Sequence, residues 1–369
     1  MEPDVSAACP ACGEPLEDGA SFCEACGSQV GAAPTAADVR PEPTDEAPLT
    51  VDDLIVSTAL GRGAARQHAP RPCVACGGTV GADGWCETCG AKQPKERDHF
   101  RETPAPWVAG VCDRGLVHED NEDAMALSAE PAPGSRAVLV VLDGVSSSVD
   151  SDVASLAGAR AARDALATGL PQGAGTPEAR QAAVARTLAD TVAAANAAIV
   201  DTTDPDSPHP ASATFACAVV EGADLWVATI GDSRVYWVPD DGEPLLVSTD
   251  DSGAQLQIDA GVDRETAEHG PHAHTITKWL GVDAPDLVPR TAYVALDRPG
   301  WVLACSDGLW NYVSEPIALG DRVSSLVAGG ATTPLDLALG LVAFANASGG
   351  HDNITATLAR VGDTDPTTA

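Results

Sequence analysis

The stretch VLVVLDGVSSSVD, residues 138–150, constrains the fold most strongly. Five apolar residues, Val138 to Leu142, run unbroken into a turn signal and read as a strand buried on both faces. The run meets Asp143 and Gly144 directly. Asp-Gly opens turns, and that alone accounts for the pair. A carboxylate at the mouth of a buried strand is also costly unless its charge is compensated, and a metal ion is one common compensation. Taken alone, this segment leaves both readings open.

The pattern recurs. WVLACSDGLW carries a second apolar run into Asp307-Gly308, and GGHDNITATL sets Asp352 just ahead of a strand. HEDNEDAMAL packs Asp120, Glu122 and Asp123 ahead of an apolar stretch, and VATIGDSRVYWV places Gly231-Asp232 at a turn between strands. Separate strand-end carboxylates in one domain imply convergence. Oxygen ligands with little sulfur or imidazole select hard cations, Mg2+ or Mn2+. Few protein ligands per ion leave coordinated water, which a hydrolytic metal site requires.

Around these motifs the chain alternates between helical and strand patterns. SDVASLAGARAARDALATGL, opened by Ser151 or Asp152, and TPEARQAAVARTLADTVAAANAAIV, opened by Thr176 and a proline, predict consecutive helices. Short strand-like runs follow, then a helix at TPLDLALGLVAFANAS and a final strand at NITATLARV. Hairpin-rich β structure with paired helices argues for an α+β domain, sheet packed on sheet with helices outside.

Eight of the eleven cysteines form four CxxC pairs before residue 90: Cys9 and Cys12, Cys23 and Cys26, Cys73 and Cys76, Cys86 and Cys89. A glycine follows the second cysteine of each pair and lets backbone amides fold back toward the sulfurs. Two sets of four thiolates at this spacing match two tetrahedral, structural Zn2+ sites with no open position. Disulfides or redox pairs are the competing reading. Segments this short bury little, so metal would supply their folding energy. Cys112, Cys217 and Cys305 sit in apolar surroundings as small core residues.

The predicted organisation is a zinc ribbon over 1–30, a flexible acidic Ala/Pro-rich linker over 31–72, and a second ribbon over 73–92. A polar connector over 93–106, a catalytic domain over 107–362 and a disordered tail over 363–369 complete it. Net charge is −33 over 369 residues. Such acidity repels phosphate backbones, and residues 1–100 hold 16 acids against 7 bases, so no nucleic-acid partner is expected. No run suggests a membrane span, and MEPDVSAACP lacks the features of a signal peptide, so a cytoplasmic protein without membrane attachment is expected.

The ordered set NEDA, VLDGVSS, SATFA, IGDSRVYWV, TITKWLG, ACSDGLW and GGHDNIT resembles the metal-dependent Ser/Thr protein phosphatases of the 2C type, over residues 108–361. The resemblance implies a four-layer α-β-β-α sandwich, two antiparallel sheets flanked by helix pairs. It implies two Mn2+ or Mg2+ ions, with a weaker third. Asp143 would bridge two ions and the Gly144 carbonyl would bind one; Asp307 and Asp352 would complete the first ion's protein ligands. Glu122 would hold waters of the second ion with Asp123 in support, Asp232 would serve the third, and Asn353 would anchor the turn beside Asp352. Residues Thr249 to His274 would form a flap. The implied chemistry is in-line attack on phosphorus by a metal-bridging water, without a covalent enzyme intermediate.

Two positions depart from the family pattern. His118 stands where an arginine usually grips the substrate phosphate, and an imidazole cannot make that bidentate contact. Val145 stands where some relatives place a general-acid histidine, and Ser146, Ser147 and Ser148 replace the usual glycines. The expected function is a signalling phosphatase of bacterial type acting on phosphorylated proteins within a Ser/Thr kinase pathway, with the ribbons docking a protein partner. The alternative is a weakly active or inactive scaffold recruited through its ribbons.

Overall fold

The computed structural model describes residues 72–81, 83–145, 150–204, 206–270 and 272–362. The first four-Cys set (Cys9, Cys12, Cys23 and Cys26), the linker up to residue 71, Ser146 to Ser148 and the tail lie outside the described residues.

The order begins β1 (His99–Ala105), β2 (Val108–Asp113), β3 (Ala124–Ala129), β4 (Arg136–Leu142), α1 (Ser151–Ala165) and α2 (Pro177–Thr202). It continues β5 (Ser212–Ala213), β6 (Phe215–Glu221), β7 (Asp224–Ile230), β8 (Arg234–Pro239), β9 (Leu245–Leu246), α3 (Gly253–Asp259) and α4 (Arg264–Glu268). It closes with β10 (Leu280–Gly281), β11 (Arg290–Ala295), β12 (Gly300–Cys305), α5 (Asp307–Trp310), α6 (Pro316–Ala328), α7 (Pro334–Ala347) and β13 (Ile354–Val361).

Two antiparallel sheets form the centre, a six-stranded one ordered β1-β2-β13-β12-β8-β9 and a five-stranded one ordered β11-β7-β6-β4-β3. Alternation along β4 shows the layering. Val138, Val140 and Leu142 pack under α1 and α2, while Ala137, Leu139 and Val141 pack between the sheets. On β12, Val302 and Ala304 face the inter-sheet core, and Trp301, Leu303 and Cys305 face α6 and α7. The result is the expected α-β-β-α sandwich, and each fully buried Val or Leu contributes about 1.5–3 kcal/mol to it. On α1, Gly158 lets the helix approach closely: a Cβ there would stand 2.8 Å from Leu142 and 3.0 Å from Ile199.

Local chemistry explains the helix ends. Thr176 accepts a hydrogen bond from the Ala179 amide with Pro177 in the first turn, and Thr333 and Asp336 form a reciprocal capping box on α7. The start of α1 differs from expectation: its cap is Asp150, in the left-handed region at φ 58°, with no side-chain capping bond. The segment expected as a polar connector contains β1, whose polar residues pair with β2 at the sheet edge. Helix α2 is long and apolar enough to cross a membrane by composition, unlike the sequence expectation. Its Val184, Leu188, Val192, Ala195 and Ile199 are buried in the core shared with α1 and the sheet. Residues of the expected flap form α3 and α4, which share a small cluster of Ala254, Ala267 and Ala273.

Candidate active site

Antiparallel register brings the strand-end carboxylates together in pairs. Ala124 pairs with Leu142, so Asp123, just before β3, stands beside Asp143, just after β4. Cys305 pairs with Ala356, so Asp307 and Asp352 lie at one end of the β12–β13 ladder. One pair therefore comes from each sheet. Asp232 joins them from the turn between β7 and β8, where the chain crosses from the five-stranded to the six-stranded sheet. Burial, with the charges of Asp123, Asp307, Asp352 and Asp232, holds the Asp143 carboxyl well above the usual carboxylate range. Burial and the charges of Asp352, Asp232 and Asp123 do the same to Asp307. Desolvation pushes Asp123 and Asp232 up to about 7.

Uncharged groups fix this geometry. The Thr214 amide donates to the Asp143 carbonyl (2.8 Å), the Asp143 amide donates to Thr214 Oγ1 (3.1 Å), and Thr214 Oγ1 meets Ser233 Oγ at 2.7 Å. Ser306 Oγ and Thr355 Oγ1 donate to Asp123 Oδ2 at 2.6 and 2.7 Å. Asn353 clamps the β2–β3 loop: its Oδ1 accepts from the Glu122 amide (2.8 Å), and its Nδ2 donates to the carbonyls of Arg114 (2.8 Å) and Asp120 (3.1 Å). Ser151 Oγ donates to Glu122 Oε1. Gly144 packs on Glu122, where a Cβ would stand 2.7 Å from the Glu122 carbonyl oxygen. His118 Nε2 lies 3.4 Å from Asp352 Oδ1.

The structure thus gathers Asp143, Asp307, Asp352, Asp123 and Asp232, with Glu122 and Gly144 alongside and His118 at Asp352. Sequence reasoning missed Ser306, Thr355, Thr214, Ser233 and Ser151. Ser306, Thr214, Ser233 and Thr355 sit inside the quoted motifs as small hydroxyl residues next to strand ends, the one signal that could have marked them. Asp123 Oδ1 and Asp307 Oδ1 are buried with no N–H or alcohol donor among the described residues. Buried, mutually repelling oxygen donors of this kind fit a divalent cation.

The second four-Cys unit is also assembled. Its Sγ atoms all lie within 4.8 Å of one another, with Cys76–Cys86 at 3.5 Å and Cys73–Cys89 at 3.7 Å. Tetrahedral zinc with thiolate ligands sets its sulfurs about 3.8 Å apart. The knuckle glycines Gly77 and Gly90 adopt the left-handed conformation, at φ 71° and 74°. The Cys89 amide, with that of Thr88, pulls the Cys86 thiol down to about 6 against the effect of desolvation. Neighbouring sulfurs of Cys89 and Cys86 outweigh the Gly78 amide at Cys76 and push that thiol up to about 12.

Known proteins resemble this chain in sequence and in fold. The chain is 30% identical over 149 residues to protein phosphatase PhpP of Streptococcus pneumoniae, covering 40% of this chain and 57% of that one. The chain thus spans a little over half the length of the curated relatives it matches. In fold it is similar to the serine/threonine phosphatase PstP/Ppp of Mycobacterium tuberculosis, at TM-score 0.54 and 26% identity over 69% of this chain and 98% of that one. It is likewise similar in fold to Stp1 of Staphylococcus aureus, at TM-score 0.57 and 22% identity over 69% and 94%. A double zinc ribbon family model matches residues 9–90. The model described as Protein phosphatase 2C matches residues 117–330, more than half of the sequence, so the chain belongs to the protein phosphatase 2C family.

Proposed function

We propose that the chain is a protein serine/threonine phosphatase that hydrolyses phosphoserine and phosphothreonine in other proteins. The observation that carries this reading is the convergence of Asp143, Asp307 and Asp352 from two sheets, with buried oxygens of Asp123 and Asp307 that lack N–H or alcohol donors among the described residues. Mn2+ or Mg2+ held there would neutralise phosphoryl oxygens and make coordinated water acidic enough to serve as a nucleophile at neutral pH. Asp143 would be the ligand common to both ions, and the Gly144 carbonyl would bind one of them; Asp307 and Asp352 would complete one position, Glu122 would hold waters at the other, and Asp232 would serve a weaker third. Asp123 supports them by holding Ser306 and Thr355, which joins β3 to β12 and β13. Asn353 keeps the β2–β3 loop against Asp352.

His118, beside Asp352, takes the place of a phosphate-gripping arginine. One imidazole N–H replaces a guanidinium fork, so ground-state phosphate binding is weak. The two four-Cys units hold structural Zn2+ and recruit a protein partner, with the intervening linker as a tether. Cytoplasmic phosphoproteins of a Ser/Thr kinase pathway are the substrate class.

The test is phosphate release from a phosphothreonine peptide with Mn2+ and with EDTA. The reading predicts release that depends on Mn2+. A folded, Mn2+-saturated chain that released none would instead support a scaffold that keeps the fold without turnover.

A further inference from the structure

The loop from Arg114 to Asp123 carries His118, Glu122 and Asp123 as it crosses from β2 to β3, that is, from one sheet to the other. Asn353 holds it from one side. Arg97 holds it from another, and Arg97 lies outside the residues matched by the phosphatase family model. Its Nε donates to the Asn121 carbonyl at 3.1 Å, and its Nη2 donates to the Asp123 carbonyl and to Ser155 Oγ, both at 3.0 Å. Ser155 Oγ in turn donates to the Glu122 carbonyl at 2.6 Å. The Asn121 side chain answers by donating to the Arg97 carbonyl at 3.0 Å. Three successive carbonyls, 121 to 123, are therefore fixed by one guanidinium, directly or through one hydroxyl.

We propose that Arg97 is a positioning residue for the Glu122-Asp123 segment, setting the cation affinity of the site without touching cation or substrate. The inference rests on the reading of Glu122 as a residue of the cation site. A planar fork suits this task because its donors diverge at fixed angles, which a lysine ammonium cannot reproduce. The Arg97 side chain is only 16% exposed, and a buried guanidinium is a poor source of net stability by itself. Outer partners that orient ligands typically govern affinity by about 10–100-fold. The segment leading to Arg97 is itself tied at both ends. Gln93 Nε2 donates to Cys73 Sγ of the second four-Cys unit at 3.2 Å, and Lys95 Nζ meets Asp120 Oδ1 at 2.6 Å.

The experiment uses the full chain as wild type, Arg97→Gln, Arg97→Lys and Glu122→Gln. Mn2+ binding is read directly from the electron paramagnetic resonance of free Mn2+, and kcat and KM for p-nitrophenyl phosphate are followed against Mn2+ concentration. Arg97→Gln is expected to weaken one Mn2+ binding step about tenfold or more, the same step that Glu122→Gln weakens. Saturating Mn2+ should then restore kcat with KM unchanged, a rescue that general loss of structure would not show. Arg97→Lys should fall between, and it decides the matter by the same criteria if Arg97→Gln does not fold. Wild-type Mn2+ binding in the Arg97 variants, with Glu122→Gln impaired, would overturn the inference and leave the proposed function standing. Wild-type binding in Glu122→Gln would remove the reading of Glu122, and the inference with it.

Discussion

In the second four-Cys unit, four sulfurs lie within 4.8 Å of one another on turns that bury little besides Cys73 and Cys86. In the carboxylate site, each aspartate stands at the end of a strand whose neighbours are almost wholly buried. The sulfurs gather on a scaffold that has no core of its own, so metal must supply its stability. The carboxylates are placed by two packed sheets, and hydroxyl and amide groups such as Ser306, Thr355 and Asn353 hold them against their own repulsion. On this contrast, one cluster would depend on its ion to stay assembled, while the other is placed by the fold. The price is a site poised to favour protons or cations.

The largest predicted difference comes from chelation. Removing zinc should withdraw about 10 kcal/mol or more from the four-Cys unit, while the sandwich stays folded. Amide hydrogen exchange should show residues 73–91 exchanging freely while β4 and β12 remain protected; protection persisting at 73–91 would break the contrast. Next comes Asn353→Ala, which leaves the Glu122 amide and the Arg114 and Asp120 carbonyls without this partner. It should cost about 2–3 kcal/mol of stability in denaturant unfolding, and weaken Mn2+ binding by about tenfold.

A smaller effect follows from pH. The Asp143 and Asp307 carboxyls are raised by burial and like charge, and Asp123 and Asp232 are raised to about 7, so the cation-free fold holds protons that the unfolded chain has already released. Their contribution is complete below the unfolded carboxylate range near pH 4 and declines as pH rises through about 7. Thermal unfolding in EDTA should show this decline between pH 5 and 8, Mn2+ should reverse it at pH 8, and Asp123→Asn should flatten it. The smallest is His118→Arg, which should lower KM for a phosphopeptide about tenfold through a charge-assisted bidentate contact, with kcat little changed.

Much of this site was readable from the chain because burial and charge conflict openly in it. An apolar run ending on Asp143 or Asp307 announces a strand whose terminus needs compensation, and the four CxxC pairs announce their own chemistry. The supports were not readable in the same way. Ser306, Thr355 and Thr214 look like any small polar residue at a strand end, and only the pairing of strands distant in sequence brings Thr355 to Asp123. Arg97 lay in a charged stretch that reads as a connector. Strand β1 was hidden there too, since HFRETPA has no apolar alternation and owes its conformation to pairing with β2. Helix α6 likewise carries little signal in the sequence, since its buried apolar side chains are Leu319 and Val323.

The most direct measurement compares wild type and Asp143→Asn for Mn2+ stoichiometry and for phosphate release from a phosphothreonine peptide. Loss of bound Mn2+ together with a fall in turnover of about 1,000-fold or more, in a variant that still folds, is the predicted result. Unchanged Mn2+ binding and turnover in Asp143→Asn would contradict the account, because the carboxylate on which both sheets converge would then have no part in the chemistry.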